Sequence, residues 1–225
     1  MNDTMLLDND VMLKTCCYAV VDDVVQCLRE IAGHVLALGV AAFVLRNRIA
    51  RATYIADKEA AAAALGRLLD AISLLEPADE EVALAADLEA EAQARSASLD
   101  SGESLLLAVL LLRCAALMLT GDKRAIHAIE VITHALGYAP RATGRIACLE
   151  QLVVALLGRC EPDSLHQRIC REPAADTAVS LCFSCNSGAF SVENALQGLS
   201  SYISAVRSQA PTVLVPQDDL STRAT

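Results

Sequence analysis

The chain has 225 residues, 54% of them hydrophobic, and a formal net charge of −10 at pH 7. This composition predicts one sizeable globular domain, and the acidic balance excludes general polyanion binding, which depends on phosphate neutralisation by Lys and Arg. The longest apolar runs, 35–45 and 105–112, are shorter than the ~18 residues that span a bilayer, and the acidic N-terminal residues are unlike a signal peptide. We therefore expect a cytoplasmic protein without a membrane segment.

Short apolar strands alternate with longer helices along the first 157 residues, as judged from apolar spacing and from Gly and Pro breaks. The first half predicts strands at 5–7 and 34–38 and helices at 11–31, 40–55, 58–75 and 78–97. The second half predicts strands at 116–120 and 144–149 and helices at 103–113, 123–135, 151–157 and 192–208. This alternation is typical of a three-layer α/β/α fold with a short, mostly parallel central sheet.

The texture of the sequence changes after residue 160, where Pro and Gly separate short helical pieces. We expect a main α/β domain over residues 1–158 and a helical C-terminal extension over 159–209. The polar, proline-containing tail at 210–225 is predicted to be disordered.

Nine cysteines are scattered through apolar patterns, as expected for small buried side chains in a reducing cytosol. Cys182 and Cys185 form a lone CxxC pair. A zinc site would need further ligands, for which His166 and Cys170 lie upstream. We expect ordinary thiols; the zinc and redox interpretations remain open alternatives.

Two acidic residues flank the apolar helix and strand between residues 103 and 120. Glu103 begins a helix about 16 Å long at ~1.5 Å per residue. Asp122 follows a strand of about the same length at ~3.3 Å per residue. Because the helix descends and the strand returns over equal distances, Glu103 and Asp122 are predicted to meet at one edge of the sheet.

Other predicted strands end in acidic residues as well. The strand at 5–7 is followed by Asp8 and Asp10, and Glu150 follows the strand at 144–149. The carboxyl ends of parallel strands form the ligand-binding edge of such sheets, and Mg²⁺ and Mn²⁺ prefer carboxylate oxygens. The sequence therefore predicts a divalent-cation site. The alternative explanation for Glu103 is a place in the first turn of a helix capped by Asp100 or Ser101, where the helix dipole favours a negative charge.

Three of these segments resemble motifs of the PIN-domain nucleases, in the order that the family shows. They are MLLDNDV at 5–11, LDSGE at 99–103 and LTGDKR at 119–124. The resemblance covers about residues 5–157 and identifies the domain at 1–158 as PIN-like. It implies that Asp8, Glu103 and Asp122 are the catalytic, metal-binding acids, with Asp10 and Glu150 as further ligands of Mg²⁺ or Mn²⁺.

The resemblance further implies a metal-dependent endoribonuclease, often the toxin of a toxin–antitoxin pair. RNA and a protein partner or antitoxin are then the expected partners. Lys123, Arg124 and Lys14 are the basic residues near the predicted edge, and we expect them to contact substrate phosphate. The high apolar content also favours a homodimer that covers exposed faces.

Two other functions are compatible with the same residues. Asp8 and Asp10 also resemble the nucleophile motif of haloacid-dehalogenase-type phosphatases, in which Asp8 would form an aspartyl-phosphate and Asp10 would act as acid and base. In that scheme Asp122 would bind the metal and Glu103 would have no role. Alternatively, the fold is a non-catalytic binding or assembly module that docks a partner through its C-terminal helices.

Overall fold

The computed structural model describes residues 3–218 and residue 220. Its five strands form one parallel sheet in the order β3-β2-β1-β4-β5. They are β1 (Thr4–Leu7), β2 (His34–Leu38), β3 (Ser73–Leu75), β4 (Leu117–Thr120) and β5 (Ile146–Cys148). The prediction of an α/β fold with a parallel central sheet is confirmed.

Each strand is followed along the chain by at least one helix. The helices are α1 (Asn9–Cys17), α2 (Val21–Ile31), α3 (Ala41–Arg51), α4 (Lys58–Ala71), α5 (Asp79–Ala94), α6 (Ser101–Arg113), α7 (Lys123–Ala135), α8 (Ala139–Ala142), α9 (Leu149–Leu157), α10 (Pro162–Arg171), α11 (Thr177–Cys182) and α12 (Val192–Gln209). Within the described residues, no helix has both the length and the apolar character needed to cross a lipid bilayer.

The alternation of side chains along the strands divides the core into two layers. Met5 and Leu7 of β1 pack with α1–α4 and α9–α11, whereas Leu6 packs on the opposite face with α5–α8. Helix α12 contributes to both layers. The helices of 159–209 therefore share the core of the sheet that carries the acidic strand ends.

The predicted helix at 11–31 is wrong, because the structure contains two helices there. Ala19 has φ 52°, in the left-handed region, and ends α1. The N–H of Val20 donates to Thr15 O and the N–H of Ala19 donates to Cys16 O, which is the Schellman pattern of a helix end. Glycine normally occupies the left-handed position at a helix end. Because alanine stands there instead, the sequence gave no sign of this break.

The predicted helix at 58–75 is also too long. It ends at Ala71, and Ile72 is extended with φ −115° and ψ 169°. The next residues form β3, whose Leu74 pairs with Ala37 of β2 at the edge of the sheet. The other predicted strands and helices of the α/β region are confirmed within a few residues at each end; β2 and α7 have the predicted bounds.

The prediction of a disordered tail is wrong for residues 210–218. Leu214 makes a parallel bridge to Ile146 of β5, and Ile146 N–H donates to Val213 O at 2.9 Å. Glu130 Oε2 accepts from the N–H groups of Thr212 and Val213 at 3.1 and 2.9 Å. This segment covers the edge of β5 that would otherwise be unpaired. Residues 219 and 221–225 lie outside the described part of the chain.

We expect Leu214→Ala to lower the free energy of unfolding by about 2–3 kcal/mol, because Leu214 is 2% exposed and its removal leaves a cavity. Urea denaturation monitored by circular dichroism measures the change. Leu181→Ala is the control, since Leu181 is 59% exposed and should change the midpoint little. Equal midpoints for the two variants would show that the tail does not pack on the sheet.

Two of the cysteines that were expected to be free thiols are paired. Cys170 at the end of α10 forms a disulfide with Cys185, which lies 15 residues later. Cys182 is buried and free, and burial raises the pKa of its thiol to about 11. The CxxC residues are therefore neither bonded to each other nor both available as zinc thiolates.

Candidate functional site at the switch in strand order

The order of the strands reverses between β1 and β4, which are neighbours at the centre of the sheet. Ligands of open parallel sheets bind at the carboxyl ends of the strands at such a point. A cavity of about 750 Å³ opens there. Its acidic lining residues are Asp8, Asp10, Asp100, Glu103 and Asp122, and its basic ones are Lys14, Arg48, Lys123 and Arg124. The structure thus brings the three predicted catalytic acids to one cavity.

Asp8 follows β1 and caps the N-terminus of α1. Its N–H donates to Leu119 O of β4 at 3.0 Å, and its Oδ2 accepts from Thr120 Oγ1 at 3.2 Å and from the N–H of Asp10 at 3.3 Å. Burial and the nearby Asp10 carboxylate raise the pKa of Asp8 to about 6. Backbone and hydroxyl donors therefore fix a buried carboxyl group where β1 and β4 end together.

Glu103 and Asp100 form a reciprocal cap at the start of α6. Asp100 Oδ1 accepts from the N–H of Glu103 at 2.8 Å, and Glu103 Oε2 accepts from the N–H of Asp100 at 3.0 Å. Burial raises the pKa of Glu103 to about 8, and repulsion from Asp100, Asp8 and Asp122 adds to it. These hydrogen bonds fit the capping explanation. The raised pKa means that Glu103 is mainly protonated at neutral pH, because it is buried among other acids.

Asp122 follows β4 and caps α7. Its Oδ1 accepts from the N–H of Arg124 at 2.8 Å, and its Oδ2 lies 2.9 Å from Arg124 Nη2. Burial raises the pKa of Asp122, but the hydrogen bonds from Arg124 outweigh it and the net pKa is lowered. Asp122 is therefore ionised at neutral pH and already has a cationic partner, which is itself largely exposed.

Asp10 and Lys14 form an ion pair on the wall of the cavity. Lys14 Nζ lies 2.5 Å from Asp10 Oδ2 and 2.7 Å from Asp176 Oδ2. Burial lowers the pKa of Lys14, but the two carboxylates outweigh this effect and the net pKa is raised. The chain passes close by at Gly121, where an added Cβ would overlap Asp10 Oδ2. Lys14 therefore stays charged and is held by both acids.

Glu150 lies in the first turn of α9 and is completely buried. Its Oε1 is 2.5 Å from Lys123 Nζ, which also lies over the ring of Tyr202 at 5.3 Å from the centroid. Glu150 is not among the residues that line the cavity. The structure thus places it behind Lys123, whereas the other four predicted ligands line the cavity itself.

The donor set fits a hard divalent cation in its chemistry, since it consists of carboxylate oxygens. In residues 3–218 and 220, however, no three His, Cys, Asp or Glu side chains already lie in an arrangement that could hold one metal ion. Two of the acids already have partners. Glu103 is held by the Asp100 N–H, and Asp122 is held by Arg124. A cation bound by both of these acids would require release of the Glu103 proton and movement of Arg124.

Sequence reasoning missed two charged contacts of the cavity. Arg48 of α3 lies 3.8 Å from Asp10 Oδ1, and Asp176, the N-cap of α11, holds Lys14 from the C-terminal extension. The spacing of Arg48 from Val44 and Val40 could have indicated one face of α3. Nothing in the sequence pairs Asp176 with Lys14, because only the tertiary packing of the C-terminal extension on α1 creates that contact.

Comparisons of the chain with protein-family models, with curated proteins and with solved structures found no significant match.

Proposed function

We propose that this protein is a divalent-metal-dependent endoribonuclease that hydrolyses RNA phosphodiester bonds, as the resemblance to PIN-domain nucleases implies. One observation carries the proposal. Asp8, Glu103 and Asp122 come from the ends of β1 and β4 and from the start of α6, and all three line one cavity at the switch in strand order. A fold gathers carboxyl groups in this way against their mutual repulsion, and a bound cation removes that repulsion.

The side chains of the cavity have separate tasks in this proposal. Asp8, Glu103 and Asp122 bind Mg²⁺ or Mn²⁺, with Asp10 beside them, and the ion supplies Lewis-acid activation of the phosphodiester and of water. Arg124 turns from Asp122 to a substrate phosphate, because its side chain is exposed and already lies at the mouth of the cavity. Lys14 and Lys123 stay charged beside the carboxylates and limit the net negative charge that RNA meets.

The experiment measures Mn²⁺ binding and RNA cleavage by the full chain after removal of metals with a chelator. We expect calorimetry to show Mn²⁺ binding that strengthens as the pH rises toward 8, since Glu103 must lose its proton. Cleavage of RNA should require Mn²⁺ or Mg²⁺ and should stop on addition of the chelator.

Three results would contradict the proposal and would point elsewhere. Cleavage that persists in the chelator would exclude a role for the ion. Absence of Mn²⁺ and Mg²⁺ binding would favour a non-catalytic assembly module, for which the existing Lys14–Asp10 and Arg124–Asp122 pairs would then be permanent contacts. Trapping of Asp8 by beryllium fluoride would favour the phosphatase chemistry instead.

A further inference from the structure

The outer face of α3 is an exposed stripe of apolar, aromatic and basic side chains. Val40, which precedes the helix, is 51% exposed, and Phe43 is 71% exposed. Tyr54, just beyond the C-terminal end of α3, is 39% exposed. Soluble proteins rarely expose grouped apolar side chains without a binding role. In the described residues, Phe43 and Tyr54 are the aromatic side chains among the exposed large hydrophobic residues.

Helix α3 is also basic in an acidic protein. It contains Arg46, Arg48 and Arg51 and no acidic residue, although the chain carries a net charge of −10. Within residues 3–218 and 220, Arg48 approaches Asp10 at 3.8 Å, and neither Arg46 nor Arg51 has an acidic side chain within ion-pair distance. The positive charge of α3 is thus available to an anionic ligand.

The stripe is continuous with the acidic cavity. Val40, Val44 and Arg48 follow one another at four-residue spacing and all line the cavity. Arg48 also lines a shallow groove of about 380 Å³ that continues to Arg51 and Tyr54. A ligand that leaves the cavity on this side therefore runs directly onto α3.

We propose that this face of α3 is a subsite for unpaired nucleotides next to the phosphate in the cavity. Phe43 and Tyr54 stack against bases, and Arg48 and Arg51 contact the flanking phosphates. Aromatic rings with interspersed cations match a ligand that alternates flat apolar bases with anionic phosphates. The bases must be unpaired, because a duplex keeps its base faces stacked inside. The choice of an RNA strand as the ligand rests on the proposed function. The exposed aromatic and basic side chains of α3 are observed independently of it.

The test measures binding of a fluorescent single-stranded RNA by anisotropy, in chelator and at low ionic strength, so that no hydrolysis occurs. We expect Phe43→Ala and the double variant Arg48→Glu/Arg51→Glu each to weaken binding about tenfold or more. Phe43→Tyr should bind RNA nearly as the wild type does, because the ring is kept. Phe43→Leu, which is apolar but has no ring, should bind as weakly as Phe43→Ala. Unchanged urea midpoints verify folding, as expected for exposed positions.

The matched control is Arg67→Glu/Arg141→Glu, which makes the same change in net charge at exposed arginines of α4 and α8. This control should bind RNA nearly as the wild type does. The subsite is overturned if the wild-type chain does not bind, if the α3 variants bind as the control does, or if a duplex of the same sequence competes equally. Binding that depends on α3 without any metal-dependent cleavage would instead contradict the proposed hydrolysis while leaving the subsite in place.

Discussion

Asp8→Asn is expected to lower the rate of RNA cleavage about 100-fold or more while the protein remains folded. Asp8 is held at the junction of β1 and β4 by backbone and hydroxyl donors, and in the proposed mechanism its charge holds the cation there. Asparagine caps helix N-termini as well as aspartate does, so α1 keeps its start. The Thr120 hydroxyl, which donates to Asp8 Oδ2, can donate equally to the amide oxygen.

The measurement compares cleavage rates and Mn²⁺ affinity of the variant with those of the wild type. Asp87→Asn is the control, because Asp87 is exposed on α5 and lies outside the cavity. We expect the control to retain full activity and Asp8→Asn to lose Mn²⁺ affinity as well as activity. Cleavage by Asp8→Asn within about threefold of the wild type would remove Asp8 from the mechanism, since a lost ligand or electrostatic contact costs far more.

The acidic edge of the sheet was predictable because each step of that prediction is local. An apolar strand followed by an acid identifies Asp8 and Asp122, and a helix that leads into the strand before Asp122 places Glu103 at the same edge. Parallel topology then brings the three to the edge of the sheet where the cavity opens. The same local logic predicted β2 and α7 with their observed bounds.

The features that sequence reasoning missed depend on tertiary contacts. Ala19 takes a left-handed conformation that alanine does not signal, and β3 forms because residues after Ala71 pair with β2. The tail at 210–225 is largely polar and contains two prolines, which suggested disorder, yet Val213 and Leu214 are buried against β5. Local composition does not encode these contacts, because burial of each segment depends on a surface that a distant segment provides.

Glu150 illustrates the same limit within the candidate site. It does follow a strand, as predicted, but the helix begins immediately after β5, and the side chain is buried with Lys123. A position at a strand end therefore indicated proximity to the site without determining the direction of the side chain. The packing of α9 and α12 around Lys123 decides that direction.

Glu103→Gln is expected to stabilise the metal-free protein at pH 9. An acid whose pKa is raised by folding, here from 4.5 to about 8, contributes stability that is fully present below pH 4.5 and is lost as the pH rises through 8. Glutamine never ionises and can still accept the Asp100 N–H. The free energy of unfolding of the variant should therefore exceed that of the wild type at pH 9, by on the order of 3 kcal/mol, and should approach it at pH 5.

Glu81→Gln provides the matched control, because Glu81, like Glu103, accepts the backbone N–H of the residue three positions earlier at the start of its helix. Glu81 Oε2 accepts from the N–H of Ala78 at 2.8 Å, but Arg113 Nε donates to Glu81 Oε1 at 2.6 Å. The hydrogen bond from Arg113 lowers the pKa of Glu81, so its ionised form stabilises the fold above pH 4.5 and this contribution is lost as the pH falls through its lowered pKa. Glu81→Gln should thus destabilise the protein at pH 9, where Glu103→Gln stabilises it.

Urea denaturation between pH 5 and pH 9, first in chelator and then in Mn²⁺, measures both effects. In chelator Glu81→Gln should be less stable than the wild type by a nearly constant amount across this range, whereas Glu103→Gln should become more stable than the wild type as the pH rises. Added Mn²⁺ should stabilise the wild type and Glu81→Gln, because a ligand of the folded state raises its stability by mass action, but it should stabilise Glu103→Gln much less. Parallel pH curves for the wild type and Glu103→Gln would show that Glu103 is only a helix cap. If Mn²⁺ makes the wild type more stable than Glu103→Gln at pH 9, the cation requires the negative charge of Glu103, which is suppressed in the metal-free protein.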